Sequence, residues 1–325
     1  MSTIVVSLKR IWKNEYLQTA ITVLLIFAIF FGFWYGSQAV LNTSYPALAV
    51  ASTSMLPTLN VGDLIIIQGV PASQIKASYI TGDIVVFKSP YDPTRLIVHR
   101  AVRTEQRSDG LYFITHGDNN PTGAEEMFNE NDLVGRVVGR IPYAGNVPLF
   151  MHAVGDIYFY IVLMVILVVV FLALPSGSNK EDKTAEEKQS KYGKIFGKVD
   201  IGTIYFGVIN VLLICLIVFN LWGSFTFWQI GSDPPQAVTI RGMYADLQYH
   251  GTFTASYNRI TETYLSHGFL TYKIDSLVGG TIRPGLATFS WFQILLLVLI
   301  AYNGWAAYKF CKSKKKPAAK TETAI

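Results

Sequence analysis

The stretch that decides the fold is an apolar run, LQTAITVLLIFAIFFGFWYGSQAVL, from Leu17 to Leu41. The polar heptapeptide STSMLPT, Ser52–Thr58, follows it closely. About 20 apolar residues suffice for a helix to cross a bilayer. This run carries no charge and is longer than the apolar core of about 7–15 residues in a cleavable signal peptide. We therefore expect an uncleaved membrane anchor, with a serine-containing proline turn held just outside the bilayer.

The rest of the chain is also unusually apolar. Hydrophobic residues make up 51% of the 325 residues and charged residues only 15%, which is untypical of a soluble protein of this length. Three further apolar runs, 154–174, 201–222 and 288–310, have the length of a span. The alternative is a soluble protein with buried helices, but tyrosine and tryptophan near the ends of the runs favour four transmembrane helices.

Lysine and arginine predict the orientation of these spans, because basic residues collect on the cytoplasmic side. With four spans, three basic clusters share one side, so residues 1–16, 175–200 and 311–325 are predicted to be cytoplasmic and 42–153 and 223–287 extracytoplasmic. The clusters are Lys9, Arg10 and Lys13; Lys180, Lys183, Lys188, Lys191, Lys194 and Lys198; and Lys309, Lys312, Lys314, Lys315, Lys316 and Lys320. We expect a multi-pass protein of the cell membrane with both termini in the cytoplasm. The pI near 9.0 then reflects contact with lipid head groups and not with nucleic acid.

The two outside segments have the pattern of β-structure. In residues 42–153, short β-branched runs are separated by Gly, Asp, Asn and Pro. Predicted strands there are Ala47–Ala51, Leu64–Gln68, Ile84–Lys88, Leu96–Val102, Leu111–Thr115 and Leu133–Val138, and in the smaller segment, residues 223–287, Val238–Ile240, Tyr249–Tyr257 and Phe269–Ile274. The predicted fold class is thus a membrane protein with four transmembrane helices, a mostly-β extracytoplasmic domain and a small β-rich second outside segment. That second segment is short for independent stability and is expected to lean on the membrane, the first domain or a partner. Residues 175–200 are polar and read as a linker.

The sequence indicates no metal, cofactor or disulfide. Cys215 lies inside a predicted span and Cys311 at the cytoplasmic end of another. Neither falls in an outside segment, where a disulfide would persist. The histidines show no spacing typical of metal ligands.

Three outside residues together suggest acyl-transfer chemistry: Ser54, His99 and Asp118. A serine hydroxyl is a weak nucleophile at neutral pH and needs a base such as a neutral imidazole. A carboxylate on the other ring nitrogen would orient that imidazole. Because many proteins contain these three residue types, their spacing alone leaves the assignment open.

Five motifs in order resemble those of type I signal peptidases of the archaeal and endoplasmic-reticulum type. They are Ser54-Met55-Leu56-Pro57-Thr58, Gly82–Phe87, Ile97-Val98-His99-Arg100, Gly117-Asp118-Asn119-Asn120 and Gly135–Tyr143. His99 stands where bacterial members of the family have a general-base lysine. The resemblance covers the anchor and the first domain, which is under half of the chain.

The resemblance implies a role for each matching residue. Ser54 would be the nucleophile, His99 the general base and Asp118 the acid that orients His99. The backbone N–H of Ser54, with the hydroxyl of Ser52 as a further candidate, would form the oxyanion hole. The family often carries a second aspartate six positions after the Gly-Asp aspartate, where this chain has Ala124. Glu125, the next residue, is the alternative acid.

The function implied is removal of signal peptides from exported preproteins at the outer membrane face. The extended cleavage site is expected to pair with strands near Ser54 and Ile84–Phe87. The partners implied are preprotein signal peptides, the lipid bilayer and, through residues 199–325, the translocon or other subunits. The alternative function is a catalytically silent membrane scaffold that presents its outside domains to a secretion or envelope partner.

Overall fold

The computed structural model describes residues 15–154, 164, 194–195, 199–228, 237–253 and 260–314. Its helices are α1 (Glu15–Leu41), α2 (Asn146–Val154), α3 (Ile201–Trp222), α4 (Met243–Thr252) and α5 (Trp291–Lys314). Its longer strands are β2 (Leu64–Gln68), β3 (Ile84–Lys88), β4 (Leu96–Arg107), β5 (Gly110–His116), β6 (Glu125–Asn129), β7 (Leu133–Ile141), β10 (Ser224–Trp228), β11 (Ala237–Arg241), β12 (Ile260–His267) and β13 (Thr271–Val278). The shorter ones are β1 (Ala47–Ala49), β8 (Lys194–Ile195), β9 (Val199–Asp200), β14 (Thr281–Arg283) and β15 (Ala287–Phe289).

Three of the helices are long and apolar enough to cross a membrane. Their apolar windows are Ile21–Leu41, Gly202–Trp222 and Trp291–Lys312, which agree with three of the four predicted spans. The remaining one, 154–174, lies outside the described residues except at its first residue and at Met164, so four spans and their orientation stay a prediction.

The α3 and α5 helices pack against each other through polar as well as aromatic side chains. The Nδ2 of Asn303 donates to the Oδ1 of Asn210 at 2.7 Å. The rings of Phe206 and Tyr302 stack with centroids 5.4 Å apart. Interhelical hydrogen bonds of this kind hold helix pairs together where water is absent.

The first domain, residues 42–153, is mostly β, as predicted. Its strands β1 to β7 belong to one sheet, in which β7-β3-β4-β5-β6 are neighbours, β1 pairs with β2, and β2 also pairs with β7. The path continues beyond β7 through β15, β13 and β12, which come from residues 260–289. The sheet curls into a half-barrel. Successive strand residues point to opposite faces, and β3 is buried on both. Ile84 and Val86 join one apolar cluster with Met55 and Ile65, whereas Val85 packs in a second cluster with Phe87, Phe113 and Phe128.

The C-terminal segment, residues 223–289, extends this same sheet through β12 to β15, while β10 and β11 form a separate two-stranded sheet. Its β15 pairs in parallel with β7 of the first domain, placing Thr288 beside Arg140, and β13 pairs with β15. The sequence left the membrane, the first domain or a partner as the support for this segment. The described residues pack against the first domain. A segment of this size stabilises itself by sharing a larger core.

The predicted strand Tyr249–Tyr257 is wrong over its first residues, because 249–252 belong to helix α4. Residues 254–257 lie outside the described part of the chain. Met243, Asp246 and His250 are the buried residues of α4, and their spacing of three and four positions is that of one helix face. Burial of this face outweighed the β-propensity of the tyrosine and threonine in the segment.

A buried ionic cluster joins the first domain to the C-terminal segment. Arg140 on β7 donates to Asp63 at 2.9 Å through Nη1, to Thr288 at 2.9 Å through Nε, and to Asp246 of α4 through Nη2. Burial alone would raise the pKa of Asp246, but the charges of Arg140 and His250 outweigh it and hold that pKa below its ordinary value. The C-terminal segment is thus tied to the first domain by charge as well as by strand pairing.

Removing Asp246 is expected to destabilise the β-rich domain. Asp246→Ala leaves Arg140 buried with only one carboxylate, and breaking a buried pair typically costs about 3–5 kcal/mol. The free energy of unfolding of the full chain in detergent should fall by about that amount in a denaturant titration. The control is Glu105→Gln, which removes a charge from an exposed ion pair with Arg107 and should have almost no effect. Equal stability of the two variants would contradict the cluster's structural role.

Candidate active site

The serine turn is held down by its apolar neighbours. Met55 and Leu59 are buried in the first cluster, and the N–H of Leu59 donates to the carbonyl of Met55 at 2.9 Å. The Leu56–Pro57 peptide bond is cis. Ser54, directly before Met55, remains partly exposed. A hydroxyl on a turn fixed in this way has a defined direction.

The structure brings Ser54 and His99 together. The Oγ of Ser54 lies 3.2 Å from the Nε2 of His99. His99 is held on β4, where it pairs with Val85 of the buried strand β3, and its side chain is buried. The distance is within reach for a base and its nucleophile.

The carboxylate beside His99 is Glu126. Its Oε2 lies 3.0 Å from the Nδ1 of His99. The hydrogen bond from His99 outweighs partial burial and lowers the pKa of Glu126 below its usual value, so the group is ionised at neutral pH. An Nδ1–H that donates to Glu126 leaves the Nε2 lone pair directed at Ser54.

Glu126 was not among the residues predicted from the sequence, and its strand was not predicted either. It lies on β6, whose residues alternate between faces. Phe128, two positions on, is buried in the core. A glutamate spaced by two from a core phenylalanine on one strand is the signal that could have identified it.

Glu125, the alternative acid from the sequence, faces away from His99. Its carboxylate accepts from the hydroxyl of Tyr79 and lies 3.6 Å from Arg103. Neighbouring residues on a strand project to opposite faces, so Glu125 and Glu126 cannot both face the imidazole. Both carboxylate side chains are partly exposed, so their contacts and not their burial distinguish them.

Asp118, the acid favoured from the sequence, does not reach His99. Its buried carboxylate accepts from the Nε of Arg100 at 2.8 Å and from Nη2 at 2.7 Å, and from the Oγ1 of Thr58 at 2.5 Å. Arg100 follows His99 on β4 and so projects to the opposite face. This corrects the expectation that Asp118 orients the base. Burial would raise the pKa of Asp118, but the charge of Arg100 prevails and holds it well below its usual range.

The Asp118 loop instead holds the backbone of the serine turn. The N–H of Asn119 donates to the carbonyl of Ser54 at 2.8 Å, and the Nδ2 of Asn119 donates to the carbonyl of Thr53 at 3.1 Å. Gly117 allows this close approach, because a Cβ there would lie 2.7 Å from the carbonyl oxygen of Ser54.

Ser52, the candidate for the oxyanion hole, lies at the same site. Its Oγ is 3.2 Å from the Oγ of Ser54 and is exposed. A hydroxyl at this distance can donate to an oxygen that gains negative charge beside Ser54. Within the described ranges, no group of three or more His, Cys, Asp or Glu side chains is placed to hold a metal ion.

Known proteins with similar sequences are catalytic subunits of signal peptidase complexes. The human catalytic subunit SEC11C is 29% identical over 153 residues, which are 45% of this chain and 77% of that protein. The sec11 subunit of Dictyostelium discoideum is 29% identical over 160 residues, 47% of this chain and 86% of that protein. SEC11 of Schizophyllum commune is 30% identical over 142 residues, 37% of this chain and 71% of that protein. No protein-family model matches the chain.

The β domain carries a hydroxyl, an imidazole and a carboxylate, each within hydrogen-bond distance of the next. This arrangement and the relatives define the class of the protein, which is a serine endopeptidase with helices able to span a membrane. Over half of the chain lies outside each of the similarities. Within that class, the chain belongs to the family of signal peptidase complex catalytic subunits, the type I signal peptidases of the endoplasmic-reticulum and archaeal type.

Proposed function

We propose that this chain removes signal peptides from exported preproteins at the outer face of a cell membrane. Ser54 is the nucleophile, His99 the general base and Glu126 the carboxylate that orients it. The observation that carries the proposal is the hydrogen-bonded sequence Ser54–His99–Glu126, with contacts of 3.2 and 3.0 Å. Because the hydroxyl, the imidazole and the carboxylate are all present and in contact, an enzyme is favoured over a catalytically silent scaffold.

In the proposed reaction, the same groups act first in acylation of Ser54 and again in its deacylation. The Oγ of Ser54 attacks the scissile carbonyl while the Nε2 of His99 accepts its proton. Glu126 stabilises the imidazolium, which then protonates the leaving amine. The N–H of Ser54 and the hydroxyl of Ser52 bind the oxyanion. Water, deprotonated by His99, then releases the acyl group from Ser54.

The substrate is proposed to add to β4 and not to β3. The pairing with Ile84–Phe87 expected from the sequence is blocked, because β3 lies between β4 and β7. On β4, the pairing with β5 begins only at Arg100, so within the described residues Leu96–His99 have an unpaired edge beside Ser54. An extended peptide can bind such an edge through its main chain. Leu96 and Val98, packed on the first apolar cluster, then offer a shallow surface suited to small side chains.

The membrane sets the height of the site. The α1 helix ends at Leu41, shortly before the serine turn, so a substrate whose apolar segment lies in the bilayer presents its cleavage site at a fixed distance. The relatives are named as subunits of a complex, and other subunits are therefore proposed as partners of this chain as well.

The test is processing of a membrane-inserted preprotein by the purified full chain in liposomes. We expect release of the mature protein after a site with small residues, and a fall on the order of 10²-fold when leucine replaces the small residue before the cut. Preparations of Ser54→Ala serve as the blank. If no small-residue preprotein is cut above that blank, the proposed function is wrong.

The close approach at Gly117 gives a further prediction. In Gly117→Ala, the added Cβ must push the carbonyl of Ser54 away, and a displacement of about 1 Å can cost about 10²-fold in rate. We expect preprotein turnover to fall by that order. The control is Gly207→Ala in α3, where an added Cβ meets nothing within 4 Å. Full activity of Gly117→Ala would mean that the turn does not depend on this contact.

A further inference from the structure

We propose that Arg283, which the C-terminal segment supplies, is a positioning residue for the serine turn and acts through Asp118. The inference rests on the proposed function, since it concerns the same nucleophile. It gives residues 260–289 a role inside the catalytic unit, beyond recruitment of partners.

Arg283 reaches from the C-terminal segment into the first domain. It lies at the end of β14, which pairs with β13, and its side chain is buried. The Nη2 atom donates to the carbonyl of Tyr79 at 3.1 Å. The Nη1 atom lies 3.9 Å from the Oδ2 of Asp118. A guanidinium with several fixed donors can hold two loops in register in this way.

The path from Arg283 to the nucleophile is short. The Oδ2 of Asp118 that faces Arg283 also accepts from the Oγ1 of Thr58, four residues after Ser54 on the serine turn. The next residue of the acidic loop, Asn119, donates its N–H to the carbonyl of Ser54. Arg283 and Thr58 thus share one oxygen atom, and a change at either alters how Asp118 holds the turn.

Loss of Arg283 should leave the fold intact. Asp118 keeps its two hydrogen bonds from Arg100, so its charge stays paired. The C-terminal segment also stays attached, through the β15–β7 pairing and the contacts of Arg140 with Asp246 and Thr288. The expected effect is therefore larger on the placement of Ser54 than on stability, and the rate is compared per folded molecule.

The first measurement is preprotein turnover by the full chain in liposomes, corrected for the folded fraction. For Arg283→Gln, kcat should fall about 10- to 100-fold with KM changed less than about twofold, because the proposed substrate edge of β4 is untouched. Arg283→Lys should recover part of kcat. The matched control is Lys273→Gln, an exposed charge on β13 of the same segment, which should behave as wild type.

A double-mutant cycle tests the shared oxygen. Thr58→Val and Arg283→Gln should combine to less than the product of their separate effects on kcat, because both act on Asp118. The proposal on Arg283 is overturned if the two effects on kcat are independent, or if Arg283→Gln has the same kcat per folded molecule as the unmutated protein. In either case, cleavage by the unmutated protein still supports the proposed function.

A second readout needs no turnover. Amide hydrogen exchange of the Arg283→Gln protein should be faster in residues 52–58 and 117–120 than in wild type, and unchanged in β2 and β3. If the wild-type protein cleaves no preprotein, the proposed function fails and this exchange pattern still decides the role of Arg283. Identical exchange in both loops would refute it.

Discussion

Ser54→Ala is expected to lower kcat/KM for preprotein cleavage by roughly 10⁴-fold or more, and His99→Ala by a similar factor. Groups that act as one unit in acyl transfer lose nearly all of their joint effect when either is removed. The hydroxyl of Ser54 and the imidazole of His99 are 3.2 Å apart, so removal of either one breaks the same contact between nucleophile and base. The double variant should be no slower than either single one.

Ser52→Ala provides a scale for these losses of rate. The hydroxyl of Ser52 lies beside that of Ser54 but is proposed only to bind the oxyanion, so its removal should lower the rate by about 10²–10³-fold. Initial rates on one preprotein in one liposome preparation give all the ratios. Cleavage by Ser54→Ala within tenfold of wild type would show that another residue attacks the substrate.

Glu126→Gln is expected to lower kcat by roughly 10³–10⁴-fold while Glu125→Gln stays within about threefold of wild type. A glutamine amide can donate to Nδ1 of His99, which favours the tautomer with its proton on Nε2, and that tautomer cannot accept the proton of Ser54. The two glutamates are neighbours on β6 but face opposite sides of the sheet, so the pair is a control matched in charge, size and position.

Asp118→Asn separates orientation of the base from support of the turn. Asp118 is paired with Arg100, so its loss should lower the free energy of unfolding as well as the rate, because a buried guanidinium loses its carboxylate. Glu126→Gln, at a partly exposed residue, should leave the unfolding free energy within about 1 kcal/mol. A fully active Glu126→Gln beside an inactive but stable Asp118→Asn would return the orienting role to Asp118.

The residues predicted from the sequence were those whose function depends on local context. Ser54 precedes a proline turn and follows a span, and both Ser54 and His99 lie in short motifs that resemble those of type I signal peptidases, so both could be proposed from the chain. The carboxylate that contacts His99 could not, because Asp118, Glu125 and Glu126 lie within nine positions of each other and their distances to His99 depend on strand register and face.

Taken alone, the sequence predicted the three apolar helices that the structure describes and the mostly-β first domain, because hydrophobic length and alternation are local properties. The resemblance of its short motifs pointed to Ser54 and His99, whose side chains the structure brings within 3.2 Å. Only the tertiary structure decided that Glu126 faces His99, that Asp118 pairs with Arg100, and that the C-terminal strands continue the first sheet. Each of these depends on contacts between residues distant in sequence, or on which face of a strand a side chain occupies. A shift of one residue in register would reverse that face.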